Sequence, residues 1–263
     1  MSKTSLFLVL EGNNNLGEGL GQSEPLEEEV ISCIIAWRAN AGLWKDADIY
    51  IICPTRRPPS RRTINELKKL KCIYIEKYFP ETEDFTCGYW NVPIACEYLE
   101  QIAEYGILIH IDLDMRLIGN IREKFSTLDM NFNVANVGAL YNMKDFKITD
   151  CPYNFESNLI IVRKSMYFFR EWWYTLQELS KWYKDKNLPA EQWAELEEFA
   201  IDKMFLNNFS INPIKHYQVG PRYKAKHIPD EKLDNIVFIH RHPYENNEEY
   251  GKYLLRRNRW GKK

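Results

Sequence analysis

The chain has 263 residues, 45% of them hydrophobic and 27% charged, with a formal net charge of −2. That is the mix of a globular protein long enough to bury a substantial core, and a field so near neutral argues against nucleic acid or an anionic membrane surface as the partner. Six cysteines, at 33, 53, 72, 87, 96 and 151, form no C-x-x-C pair, which excludes the spacings of zinc sites and thioredoxin-like motifs.

Along the chain, "SLFLVL" predicts a first strand that runs into the Gly/Asn-rich loop "EGNNNLGEGLGQ". That loop lacks both a G-x-G-x-x-G followed by a helix and a GK[ST]. "EPLEEEVISCIIAWRANAG" has helical spacing, glutamates in its first turn and Gly42 as its stop. "ADIYIICPT" predicts a strand halted by Pro54, "TINELKKLK" a short helix, "CIYIEKY" a strand, "VPIACEYLEQIAEYG" a helix and "ILIHIDLD" a fourth strand. Further on come "NFESNLIIVRKS" as a turn feeding a strand, the aromatic helix "MYFFREWWYTLQELSKWYKDKN", the helix "ELEEFAIDKMFLNN" and a late strand "NIVFIHRHPY". Strand and helix alternating over the first half predict an α/β fold, a mostly parallel sheet with helices on both faces. No repeat or composition break divides the chain, so one domain is expected over residues 1–263, with 1–115 as one half and 116–263 as the other. No stretch approaches the ~20 apolar residues of a membrane span, and the N-terminal apolar run is short for a signal peptide. A soluble, cytoplasmic protein is the resulting expectation.

In such sheets ligands bind beyond the carboxyl ends of the strands, which is where Asp112 and Asp114 fall. Strand alternation would put both on one face, and two carboxylates that close repel unless a cation sits between them. A hard divalent metal, Mn²⁺ or Mg²⁺, shared with diphosphate oxygens answers both points. The plainer alternative is that the pair caps a turn or meets Arg116. Cys33, Cys53, Cys72 and Cys96 stand in apolar surroundings and are expected in the core. The aromatic helix is expected to be mainly core as well, with sugar stacking as its other use.

Four motifs in order resemble the GT-A glycosyltransferases: "YGILIHIDLDMRLIGNIREKF" with its D-x-D, the acceptor-side "YNFESNLIIVRKS", the acidic helix start "LEEFAIDKMFLNN" and the late "VFIHRHPY". The resemblance, to the small soluble bacterial or viral type, covers roughly residues 5–245. It implies a GT-A-like, Rossmann-like sheet and transfer of a sugar from a nucleoside-diphosphate donor, uridine-linked, to a hydroxyl of a glycan or glycoprotein. It implies a divalent metal on Asp112, Asp114 and His240, with His242 the fallback. Nucleotide contacts fall to Asp112, Leu10, Glu11, Thr55 and Asn91, and acceptor contacts to Ser157, Asn158 and Trp90. An inverting reaction would need a carboxylate base, for which Glu198 leads, with Glu156, Glu197 and Asp202 as rivals. Asn158, a residue that tolerates the left-handed region, stands where the family has glycine, and Glu156 where it has asparagine. Haloacid-dehalogenase-like phosphatases also carry D-x-D, but on the first strand and with Thr or Val where this chain has Arg116. Two readings stay beside the transferase: a nucleotidyltransferase, which would want a basic residue in "EGNNNLGEGLGQ", and a non-catalytic nucleotide- or glycan-binding module.

Overall fold

In the computed structural model, which describes residues 4–10, 26–82, 91–104, 106–117, 133–137, 151, 155–186, 196–214 and 238–240, Thr4–Val9 forms β1 and every one of its residues is buried. Helix α1 is Leu26–Asn40, with Glu27, Glu28 and Glu29 in its first turn and Arg38 in its last, charges that suit the helix dipole at both ends. Asp48–Cys53 is β2, Arg61–Lys69 is α2, Cys72–Glu76 is β3 and Asn91–Ile102 is α3. Ser60 caps α2, its hydroxyl accepting from the Thr63 N–H at 3.2 Å. Ile107–Ile111 is β4, Met115–Leu117 β5, Asn133–Val137 β6 and Phe155–Arg163 β7. Helices α4 (Phe168–Lys186) and α5 (Leu196–Leu206) follow, then β8 (Ile211–Ile214) and β9 (Phe238–His240).

The chain divides into two compact units, crossing between them several times. The first takes 1–12, 47–112 and 129–215, the second 13–46, 113–128 and 216–263.

The first unit holds a seven-stranded sheet in the order β3-β2-β1-β4-β7-β6-β8. β1 pairs in parallel with β2 and β4, and β2 with β3, while β7 runs antiparallel to both β4 and β6. The result is the mostly parallel α/β sheet that the alternating pattern predicts. Phe7, Val9, Tyr50, Ile52, Leu108, Ile160 and Val162 share a core with side chains of α3, α4 and α5. Their neighbours along the strands, among them Leu6, Leu8, Ile49, Ile51, Ile109 and Ile161, are buried as well. Burial of both strand faces is why β1, β2 and β4 read as unbroken apolar runs.

The aromatic helix α4 turns Phe168, Phe169, Trp172, Leu176, Leu179 and Tyr183 inward. Their spacing follows one stripe of a 3.6-residue period, while Tyr174 and Trp182 face solvent. Core is therefore its main use. Cys33, Cys53 and Cys96 are buried as expected; Cys72 is only half-buried.

In the second unit, Val30, Cys33, Ile34 and Trp37 form the buried stripe of α1. The antiparallel pair β5-β9 has the register Met115↔His240, Arg116↔Ile239 and Leu117↔Phe238. Among the described residues no helix is long and apolar enough to cross a membrane.

Candidate functional site

β4 carries a buried apolar run to the carboxyl edge of the parallel strands and stops at Ile111. Asp112 is already outside the strand, and a turn at Leu113 and Asp114 leads into β5. The expected alternation that would set both carboxylates on one strand face therefore does not hold. A turn, not a pleat, separates them. The chain passes from the first unit into the second between Asp112 and Leu113.

Within the first unit, Asp112 has two supports. Its N–H donates to the Asn158 carbonyl at 3.2 Å, extending the β4-β7 pairing by one rung. Its carboxylate Oδ1 lies 3.6 Å from His110 Nε2. His110 is 1% exposed, and Nδ1 sits 3.3 Å from the Phe7 carbonyl oxygen and 3.6 Å from Cys96 Sγ. A carbonyl only accepts, so Nδ1 carries a proton and Nε2 is the edge turned to Asp112. Burial alone would favour neutral imidazole; the Cys96 sulfur and the Asp112 carboxylate outweigh it and raise the pKa to about 10. The sequence motifs assign His110 no role. Its signal was present in "HID", since alternate residues of a strand share a face.

The acceptor-side segment is not the expected turn. Phe155 already begins β7, so Glu156, Ser157 and Asn158 lie within a strand. Pairing with β6 is broken there: Ala135 faces Ile160, but the next residue, Asn136, faces Glu156. Ser157, Asn158 and Leu159 are thus looped out relative to β6, a bulge that bends the strand and re-aims its side chains. Asn158 is not among the described non-glycine residues with positive φ, which are Lys71, Tyr167 and Asn208. A bulge supplies here the irregularity that a left-handed residue was expected to supply. The buried Asn158 amide donates to Glu156 Oε2 at 2.6 Å. Asn158 therefore joins Asp112, through its carbonyl, to Glu156, through its side chain.

The acidic start of α5 is differently employed. Asp202 is 4% exposed, and its Oδ1 accepts from the Phe155 N–H at 3.2 Å, fastening the first residue of β7. Glu197 is 5% exposed, and its carbonyl accepts from Trp172 Nε1 at 2.7 Å. Glu198 is half-buried. Of the four carboxylates proposed as a base, Glu156 is the one tied by hydrogen bonds to Asp112's neighbour.

Of the expected nucleotide contacts, Leu10 follows β1 and its N–H donates to the Ile52 carbonyl at 2.8 Å. Thr55 follows β2 and spends its hydroxyl on the Arg57 N–H at 3.3 Å. Asn91 is the buried first residue of α3. Leu10, Thr55 and Asp112 all follow the C-terminal ends of parallel strands, where ligands of such sheets bind. Glu11, Trp90 and His242 lie outside the described residues.

In the second unit, the register Met115↔His240 sets His240 across the ribbon from the residue after Asp114. Partners in such a ladder stand roughly 5 Å apart at Cα. Arg116 pairs with Glu29 of α1 in a buried ion pair. Its Nη1 also donates to the Leu113 carbonyl at 2.9 Å and to the Met115 carbonyl at 3.1 Å. No group of three His, Cys, Asp or Glu side chains forms a metal cluster among the described residues; the backbone of His240 is described, its side chain is not. As a donor set, two carboxylates and one imidazole suit Mn²⁺ or Mg²⁺ in hardness and charge.

Comparison with protein-family models and with curated proteins finds no match. Solved structures do match. A structure of galactosyltransferase LgtC in complex with donor and acceptor sugar analogs superposes with a TM-score of 0.60 at 12% identity, over 96% of this chain and 94% of that one. An active-site mutant of LgtC gives 0.59 at 10% identity, over 97% of this chain and 95% of that one. At such identity the likeness establishes the fold and nothing more: the chain shares the GT-A fold of those structures.

Proposed function

We propose that this protein is a metal-dependent glycosyltransferase that moves a sugar from a uridine-diphosphate sugar to a hydroxyl of a glycan or glycoprotein acceptor. The observation that carries the reading is the junction at the carboxyl edge of the sheet, where Asp112, Asn158 and Glu156 are linked by hydrogen bonds in a chain with the GT-A fold. That junction brings the expected donor-side carboxylate and the expected acceptor-side segment to one strand end.

In this reading Asp112, Asp114 and His240 would hold the divalent cation. When bound, the cation offsets the charge that builds on the departing nucleoside diphosphate, a Lewis-acid role. The remaining work falls to the chain. His110 and the Asn158 carbonyl fix Asp112 from two sides. Leu10 and Thr55 border the space beyond β1 and β2 where a nucleoside would lie. Glu156 takes the proton of the acceptor hydroxyl as its oxygen attacks the anomeric carbon, and the nucleoside diphosphate leaves from the opposite face with inversion. A base of this kind contributes roughly 10²–10⁴-fold. Asn158, donating to Glu156, holds that carboxylate in one orientation.

The test is a thermal-shift panel of nucleoside diphosphates and their sugars, with and without Mn²⁺, on the wild type and Asp114→Ala. A ligand that binds only the native state raises the melting temperature by mass action. The expected result is a Mn²⁺-dependent shift with UDP that disappears in Asp114→Ala, followed by turnover of one UDP-sugar on a glycan array. No shift with any nucleotide in the presence of metal would overturn the reading.

A further inference from the structure

We propose that Arg116 is a positioning residue that clamps the backbone on both sides of Asp114, with Glu29 as its anchor, and so fixes that carboxylate for a divalent cation and a nucleoside diphosphate; the inference rests on the transferase reading above. Three observations in the second unit carry it.

The first is the clamp itself. One guanidinium nitrogen donates to the carbonyls of Leu113 and Met115, the two residues that flank Asp114. The other is paired with Glu29. Arg116 is thus bonded to the turn on either side of Asp114 and cannot move without moving it. Arginine suits this task because its rigid fork presents several donors at fixed angles, where a lysine offers one mobile point charge.

The second is burial. Arg116 and Glu29 are 7% and 5% exposed. A buried ion pair is weak evidence of a stability role, since apolar residues of similar volume often replace it without loss. The carbonyl contacts are what apolar residues could not reproduce.

The third is the ribbon that the clamp holds. β5 and β9 have three residues each, and a two-stranded ribbon is marginal on its own. Side chains fasten β5 to the unit's helix: Glu29 of α1 holds Arg116, and Asn40 of α1 donates to the Leu117 carbonyl at 2.8 Å. Through the register Met115↔His240, the fastened β5 also sets the backbone position of His240. The clamp governs two of the three expected metal ligands without being one.

The experiment compares the wild type, Arg116→Lys and the double variant Glu29→Leu/Arg116→Met. The double variant removes both charges together, so that none is left buried and alone. Thermal melts without ligand report folding, and Mn²⁺ binding in the presence of UDP is titrated by the paramagnetic resonance signal of free Mn²⁺. The double variant is expected to melt close to the wild type yet bind Mn²⁺ about 10- to 100-fold more weakly, the loss typical of disturbed groups behind metal ligands. Arg116→Lys should fall between the two. A folded double variant that binds as tightly as the wild type overturns the clamp. Should the double variant not fold, unchanged Mn²⁺ affinity in Arg116→Lys overturns it instead. A wild type that binds no Mn²⁺ with UDP fails before any variant is compared; that result sinks the transferase reading and this inference with it.

Discussion

Glu100 offers a sharp test of the physical chemistry of the first unit. It sits on α3, 3% exposed, and its Oε2 accepts from the Arg170 N–H at 3.1 Å. Arg170 belongs to the first turn of α4, whose N–H groups have no partner within the helix. The residue before that helix, Tyr167, has a left-handed backbone with φ 51° and no short oxygen-bearing side chain to act as a cap. The capping oxygen comes from another helix. Burial raises the pKa of this carboxyl from its ordinary 4.5 to about 7, against the opposing pull of the Arg170 and Phe169 N–H groups, with the charge of Glu97 adding to the rise and that of Arg170 opposing it. Because the folded value lies above the unfolded one, the associated stability is present below pH 4.5 and is lost as pH rises through about 7. The whole gap is worth on the order of 3 kcal/mol, of which about 2.5 kcal/mol falls between pH 5 and pH 8. Glu100→Gln keeps an oxygen for the Arg170 N–H and removes the charge. Relative to the wild type it should gain stability by about that amount from pH 5 to pH 8. For a chain of this size that is roughly 5–10 °C in melting temperature. Urea denaturation at several pH values, followed by tryptophan fluorescence, reads it directly. Parallel curves for the two proteins across that range would refute the reasoning and show that the helix N-terminus holds the carboxylate ionised despite its burial.

Two more expectations follow from the same structure. Trp172 is fully buried and donates to the Glu197 carbonyl; Trp172→Phe removes that bond and leaves a gap between α4 and α5, for a loss of about 2–3 kcal/mol in chemical denaturation, and a loss well below ~1 kcal/mol would contradict it. If Glu156 is the base, Glu156→Gln should lower turnover roughly 10²–10⁴-fold with the Mn²⁺-dependent UDP shift intact, while Glu198→Gln stays near wild-type turnover; the reverse ranking, measured by nucleotide release, would move the base to α5.

Much of the fold was legible because its signals are local. The apolar runs of β1, β2 and β4 and the helical stripes of α1 and α4 show their period within a dozen residues. Three strands were not foreseen. β5 is three residues with an arginine at its centre, β6 carries asparagines at 133 and 136, and β8 contains Pro213. Pairing makes these strands, since their composition does not favour one. Pro213 is tolerated because β8 lies at the sheet edge, where a missing N–H can face away from the ladder. The candidate site divides in the same way. Asp112, Asp114 and the acceptor-side segment could be read from motifs. The Glu29–Arg116 pair joins residues 87 apart, and the Asn158–Glu156 contact depends on a bulge that no short pattern announces.

The two carboxylates that follow the apolar strand β4 are supported separately, each within its own unit. In the first unit, Asp112 follows β4 with an imidazole edge beside its carboxylate and a ladder rung on its N–H. Asp114 belongs to the second unit, and its turn is stiffened by a guanidinium that bonds the carbonyls around it. Neither support uses the other carboxylate. Each acid is therefore braced within its own unit, Asp112 beside His110 and Asp114 in the turn that Arg116 bonds. A pair that only capped a turn would need no such duplicate support. Burying an imidazole in one unit and an ion pair in the other costs free energy, and the metal role proposed for "DLD" is one that would warrant that cost.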